Sequence, residues 1–176
     1  MKSIFYFLVS IFLFLGISGQ SRADEATVIQ KTELSSLVND INIAIKKGDV
    51  AIIATKMPDR LYKEMARRLD TTEANLRTSF LKKLYTQFEN ISAGSYHLDE
   101  KKIAYRKTDK GALYALIPTV FETKNRIIQY NTLAIVDNAQ WYLIYGGRKT
   151  IENSVFLEIY PALSGINLPQ EKIIEK

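Results

Sequence analysis

The sequence predicts an α+β fold: N-terminal helices packed on a curved, mostly antiparallel four-stranded sheet, with a further helix near the C-terminus. Three observations predict it. Apolar residues recur at helical spacing through residues 33–91 and then stop. Beyond Gly94 the pattern becomes that of strands, rich in β-branched and aromatic side chains. One long stretch, residues 126–147, reads as two strands about a tight turn.

The first residues are set apart from this fold. Lys2, an apolar run over 4–17, and the small residues Ser21 and Ala23 have the form of a secretory leader cleaved after Ala23. The run is short for a membrane helix of about 20 residues, so no stable span is expected after cleavage. Residues 1–23 are therefore read as a signal peptide and 24–176 as one exported domain, periplasmic or secreted. The chain's 24 basic and 19 acidic residues give +5, and loss of Lys2 and Arg22 leaves 22 against 19, a net +3. So mild a charge predicts no nucleic-acid partner. There is no cysteine and one histidine, His97. Neither a metal site of the Cys or His type nor a cofactor is expected.

A polar lead-in over 24–31 precedes the first helix, predicted over 33–47, where Leu34, Leu37, Val38, Ile41 and Ile45 share one face. Gly48 stops it, and Asp49 is placed to cap a short helix at 51–54. Pro58 suits the first turn of the next helix, whose stripe is read as Leu61, Met65 and Leu69 with Tyr62 and Ala66 alongside. Asp70 and Glu73 have the spacing of a capping box. The helix they would open carries Leu76, Phe80, Leu84, Phe88 and Ile91.

The first strand, 96–107, is interrupted by the charged residues 99–102, which predict a solvated edge or hairpin tip. After a turn at 108–111 comes a strand at 112–123, where Pro118 marks an edge or a bulge. The hairpin of 126–136 and 141–145 turns at 137–140. Its first strand is apolar on both faces, so both are expected to be covered, one by helices and the other by a C-terminal segment or a second subunit. A last helix, capped by Asn153 or Ser154 and carrying Val155 and Ile159, ends at Tyr160-Pro161. Leu163, Ile166 and Leu168 read as an extended packing tail, and 170–176 as frayed.

Helix stripes up to Ile91, strand pairs at 112–123 and 126–136, and Trp141-Tyr142-Leu143 after a polar turn together resemble the NTF2-like (SnoaL-like) superfamily of cone-shaped α+β domains. The run Tyr114-Ala115-Leu116-Ile117-Pro118-Thr119, with Leu133-Ala134 and Tyr160-Pro161, is similar to exported bacterial proteins of that kind. The resemblance implies a cone with an interior pocket. It implies no reaction, because the superfamily hosts dehydratases, isomerases, cyclases, secretion-system subunits and non-catalytic binders. No catalytic Asp or His motif of its enzymes occurs here, and the C-terminal helix departs from the usual pattern.

Several residue sets point to a site, each with a plainer alternative. Tyr105, Tyr114, Tyr130, Trp141 and Tyr145 could line a pocket for an apolar ligand, or simply pack the core. Gln129 and Asn131 alternate with Ile127, Leu133 and Ile135, so buried amides on that face would be pocket-floor or interface groups. His97 has the chemistry of a general base, or sits on an exposed edge strand. Asp99-Glu100 would be a carboxylate pair of raised pKa, or a screened surface hairpin. Lys56, Arg60, Lys63, Arg67 and Arg68 make a basic face suited to an anionic partner, or a solvated one. The function expected is a non-enzymatic domain binding a small apolar molecule or an envelope protein. A lyase or isomerase with a base in the cone, and a homodimeric interaction subunit, are the alternatives.

Overall fold

The computed structural model describes residues 26–89 and 91–176, so the expected leader lies outside them. Helix α1 (Val28–Lys46) begins earlier than its apolar stripe. Thr27 Oγ1 accepts from Gln30 N (3.2 Å) and Gln30 Oε1 from Thr27 N (2.9 Å), a reciprocal cap that starts the helix before Leu34. Its first turn carries exposed Val28 and Ile29, which is why periodicity alone placed the start later. Leu34, Val38, Ile41 and Ile45 are buried as the stripe predicts. Asp49 Oδ1 accepts from Ala51 N (3.1 Å) and leads into the short α2 (Ala51–Thr55).

Pro58 directly precedes α3 (Asp59–Arg68), which buries Leu61, Tyr62 and Ala66. Leu69 is 58% exposed, so the expected Leu61/Met65/Leu69 stripe is rotated. Tyr62 causes the rotation: its hydroxyl donates to Ala54 O (3.0 Å) and its ring lies under Arg77 (3.8 Å). Asp70 does not cap the next helix. It takes a left-handed conformation (φ 49°) and closes α3, with Thr71 N donating to Ala66 O (3.0 Å). Thr72 is the cap of α4 (Glu73–Phe88), accepting from Asn75 N (3.1 Å).

The sheet is four strand positions wide but has six strands rather than four. Its strands are β1 (Tyr96–Leu98), β2 (Ala104–Lys107), β3 (Leu113–Glu122), β4 (Arg126–Asp137), β5 (Gln140–Ile144) and β6 (Lys172–Glu175). All pairs are antiparallel, and the sheet is curled. One outer position, beside β3, is shared by β1 and β2; the other, beside β4, is shared by β5 and β6. The charged residues 99–102 make the break between β1 and β2, with a 3-10 turn at Glu100–Lys102. Pro118 lies in a central strand, opposite Asn131, and not on a sheet edge. Its carbonyl accepts from Asp99 N (2.8 Å), so its missing N–H falls where the neighbouring strand is interrupted. The β4–β5 turn puts Asn138 (φ 48°) and Ala139 (φ 61°) in left-handed conformations, as a two-residue hairpin turn of matching twist requires. The final residues are not frayed. They form β6 beside β4, and Lys176 N donates to Asn125 O (2.9 Å).

Each face of the sheet has its own core. On the inner face Ala115, Ile117, Phe121, Ala134, Trp141 and Leu143 pack under α1, α2 and α4. On the outer face Tyr114, Leu116, Leu133, Ile135 and Ile144 pack under α5 (Gly147–Ile151), α6 (Ser154–Ile159) and the segment ending at buried Leu163 and Leu168. The second cover is therefore the chain's own C-terminal segment. Asn42 ties α1 to the edge of β1 by both halves of its amide: Nδ2 donates to Leu98 O (2.9 Å) and Oδ1 accepts from Leu98 N (3.0 Å).

Candidate functional site

Inside the curl, strand alternation points one set of hydroxyls toward the helices. Thr119 Oγ1 donates to Ile117 O (2.9 Å). A hydroxyl has one proton, so in the 2.7 Å contact between Thr119 and Thr132 the donor is Thr132. The Tyr96 and Tyr130 hydroxyls lie within hydrogen-bonding reach of each other and of Thr132, and with one proton each they complete two of those three contacts. Tyr145 joins from the end of β5, bonded to Gln87. Burial raises the phenols of Tyr96, Tyr130 and Tyr145 above their ordinary value, and in Tyr130 and Tyr145 the neighbouring Tyr96 adds to the rise. These groups are neutral hydrogen-bonding phenols at ordinary pH.

The rings are held by stacking. Phe88, Tyr96 and Phe121 meet at 5.5, 5.5 and 6.0 Å, and Phe80 meets Tyr145 edge-on at 5.8 Å. Ile41, Ile53, Lys56, Tyr96, Thr132, Leu143 and Tyr145 enclose a cavity of about 10 Å³, room for a single water. A wide depression of about 620 Å³ lies along α4, lined by Thr78, Leu81, Lys82, Tyr85, Thr86 and Glu89. Those residues lie on α4 or, for Glu89, at its C-terminal cap, so among the described residues nothing closes over it.

The expected pocket set is divided among three places. Tyr130 and Tyr145 belong to the interior hydroxyl cluster. Trp141 and Tyr105 clamp the start of α1: Trp141 Nε1 donates to Gln30 O (2.9 Å), Tyr105 OH to Lys31 O (3.3 Å), and the rings meet at 6.2 Å. Tyr114 is buried on the outer face under the C-terminal segment. Gln129 is exposed and Asn131 half-buried, so neither is a buried pocket-floor amide; the inner residues of β4 are the even ones. His97 is exposed on β1, opposite Val120. Tyr96, Thr119 and Thr132 are the residues sequence reasoning missed. The signal was the shared parity of Tyr130, Thr132 and Ala134, hidden because β4 is apolar on both faces.

Of the basic-face candidates, Arg60, Arg67 and Arg68 are each engaged with a neighbouring side chain. Arg67 pairs with Glu64 (3.0 Å), Arg68 with Glu158 (2.6 Å) and Arg77 with Asp59 (2.6 Å), and Arg60 lies over Tyr160 (5.3 Å). Asp99 does not form a raised carboxylate pair: its hydrogen bond to Lys102 (3.0 Å) holds its pKa below the usual value. Among the described residues no cluster of three or more His, Cys, Asp or Glu side chains could hold a metal ion, and no helix is long and apolar enough to cross a membrane.

The outer face is only half covered. Beyond Leu116 and Leu133 it continues as Pro118, Val120, Ile127, Asn131 and Ile174, all half-buried. Exposed His97, Gln129 and Lys172 border this strip.

Comparison with protein-family models, with curated proteins and with solved structures finds no match for this chain.

Proposed function

We propose that this chain is an exported, non-catalytic interaction domain of the NTF2-like cone type, which binds an envelope protein through the open half of its outer sheet face. One contrast carries the reading. The interior is closed around hydroxyls that satisfy one another, with about 10 Å³ to spare, whereas Val120, Ile127 and Ile174 form an apolar strip with amides and cations at its rim. A lyase or isomerase would need a base in the interior. The groups there are phenols raised by burial, with Lys56 at the cavity wall, while His97 lies on the opposite face. The test is site-specific photo-crosslinking in the native envelope from position 129, with position 75 on α4 as control. A discrete protein adduct from 129, absent from 75 and lost on Val120→Glu, supports the reading. Equal labelling from both positions, or none from 129, sinks it.

A second reading, a small ligand in the interior, is favoured by the convergence of Tyr96, Thr132, Tyr145 and Lys56 on one cavity. Native mass spectrometry of protein purified without refolding decides it. A retained small-molecule mass that Tyr130→Phe abolishes supports this reading, and a bare protein mass removes it.

A further inference from the structure

Strand β4 accepts two strands along one side, and they are held very differently. Trp141, Leu143 and Ile144 of β5 are all buried. In β6, Lys172, Ile173 and Glu175 are exposed and Ile174 is half-buried. What holds β6 is a four-residue ladder, the Lys176 N–H on Asn125 O (2.9 Å), and Lys176 Nζ on Glu122 Oε1 (2.6 Å) and Thr123 O (2.9 Å). Surface ion pairs of this kind add little.

The segment is also free to leave. Its last buried anchor is Leu168, 3% exposed, and residues 166–171 run without helix, strand or turn. The eight residues beyond Leu168 reach roughly 26 Å when extended. The ladder is complementary in charge and shape: Glu175 lies opposite Arg126, Ile174 opposite Ile127, Ile173 opposite Ile128, and Lys176 meets Glu122. A second copy presents the same four partners.

We propose that β6 is an exchangeable strand, traded reciprocally between two copies of this chain, so that each tail completes the other's sheet at residues 126–129. The occupant of that edge is then β6 in cis when dilute and β6 in trans when concentrated, because the tethered strand competes at a fixed effective concentration. Reciprocal exchange is two-fold symmetric and closes on itself as a dimer. It does not depend on the partner proposed above, which docks on a face and not on an edge.

The chain has no cysteine, which makes the test clean. Full-length mature Ile127→Cys and Ile174→Cys variants are mixed and oxidised mildly over a concentration series. A disulfide joining one variant to the other, rising in proportion to concentration and exceeding self-linked Ile127→Cys, is the expected result. Ile128→Cys mixed with Ile173→Cys repeats the test at the adjacent rung, should the first pair disturb folding. Removing residues 171–176 should abolish the dimer seen by sedimentation. A dimer that persists after that truncation, or mixed variants that never cross-link at high concentration, overturns the proposal.

Discussion

Residues 132–135 of β4 are buried on both faces, whereas 126–131 are exposed or half-buried, although both halves run in one unbroken ladder with β3. The backbone bonds to β3 are alike; what differs is the cover. The first half has α1 and α2 above it, and α5, α6 and the Leu163–Leu168 segment beneath. The second half has the end of α4 on one side only, and a thin terminal strand at its edge. A β-ladder therefore says little about stability by itself, because side-chain burial supplies most of the free energy.

That contrast can be broken most severely at Leu133. Leu133→Ala should cost about 3 kcal/mol in urea unfolding, within the range for buried leucines, while Ile127→Ala six positions away should cost about 1 kcal/mol or less. Equal losses would mean that the two halves share one core. Next comes the hydroxyl chain. Thr132→Val removes the proton given to Thr119 and a hydrogen-bonding partner of the buried tyrosines, and should cost about 1–3 kcal/mol. Adding Thr119→Val should cost clearly less than its effect alone, since the two act as one unit.

The inner face of the sheet should also be alkali-sensitive. The phenols of Tyr96, Tyr130 and Tyr145 are raised above their ordinary value, chiefly by burial, and burial pushes Tyr62 up to about 12. A group whose folded value exceeds its unfolded one stabilises fully below the unfolded value and loses that contribution as pH rises. Stability should thus be flat in these groups below pH about 10 and fall through the range up to 12 and beyond. Tyr130→Phe should flatten the fall, as followed by unfolding at stepped pH. The smallest change sharpens the contrast from outside. Ala139 occupies a left-handed turn position that suits glycine, so Ala139→Gly should stabilise by about 1 kcal/mol. Amide exchange should then slow in β5 and 132–136 and leave the locally opening β6 unchanged.

Much of this architecture was legible because particular residues have one physical outcome. Leu34, Val38, Ile41 and Ile45 make a stripe that only a helix can bury together, and Asp137-Asn138 makes the turn. Charges at 99–102 interrupt a strand wherever they fall. Other features were not legible for equally specific reasons. The Lys172–Glu175 strand is short and half charged, so nothing local distinguishes it from a loose end until β4 lies beside it. The rotation of α3 depends on Tyr62 reaching a carbonyl eight residues earlier in the chain. The candidate site was only partly legible. Tyr130 and Tyr145 were named, but a strand apolar on both faces gives no parity signal, and so the amides at 129 and 131 drew notice in place of Tyr96, Thr119 and Thr132.

Asn42 has a consequence for how these molecules behave in a crowd. Its amide donates to and accepts from one residue of β1, the same pair of bonds that an incoming strand would bring. At that rung the edge is already occupied, so a neighbouring molecule finds no template there. Fibre growth needs an open template at each end of the repeating unit. The Asn42 side chain that fills the Leu98 rung of β1 therefore limits strand addition at that point of the edge, and Asn42→Ala would remove the limit.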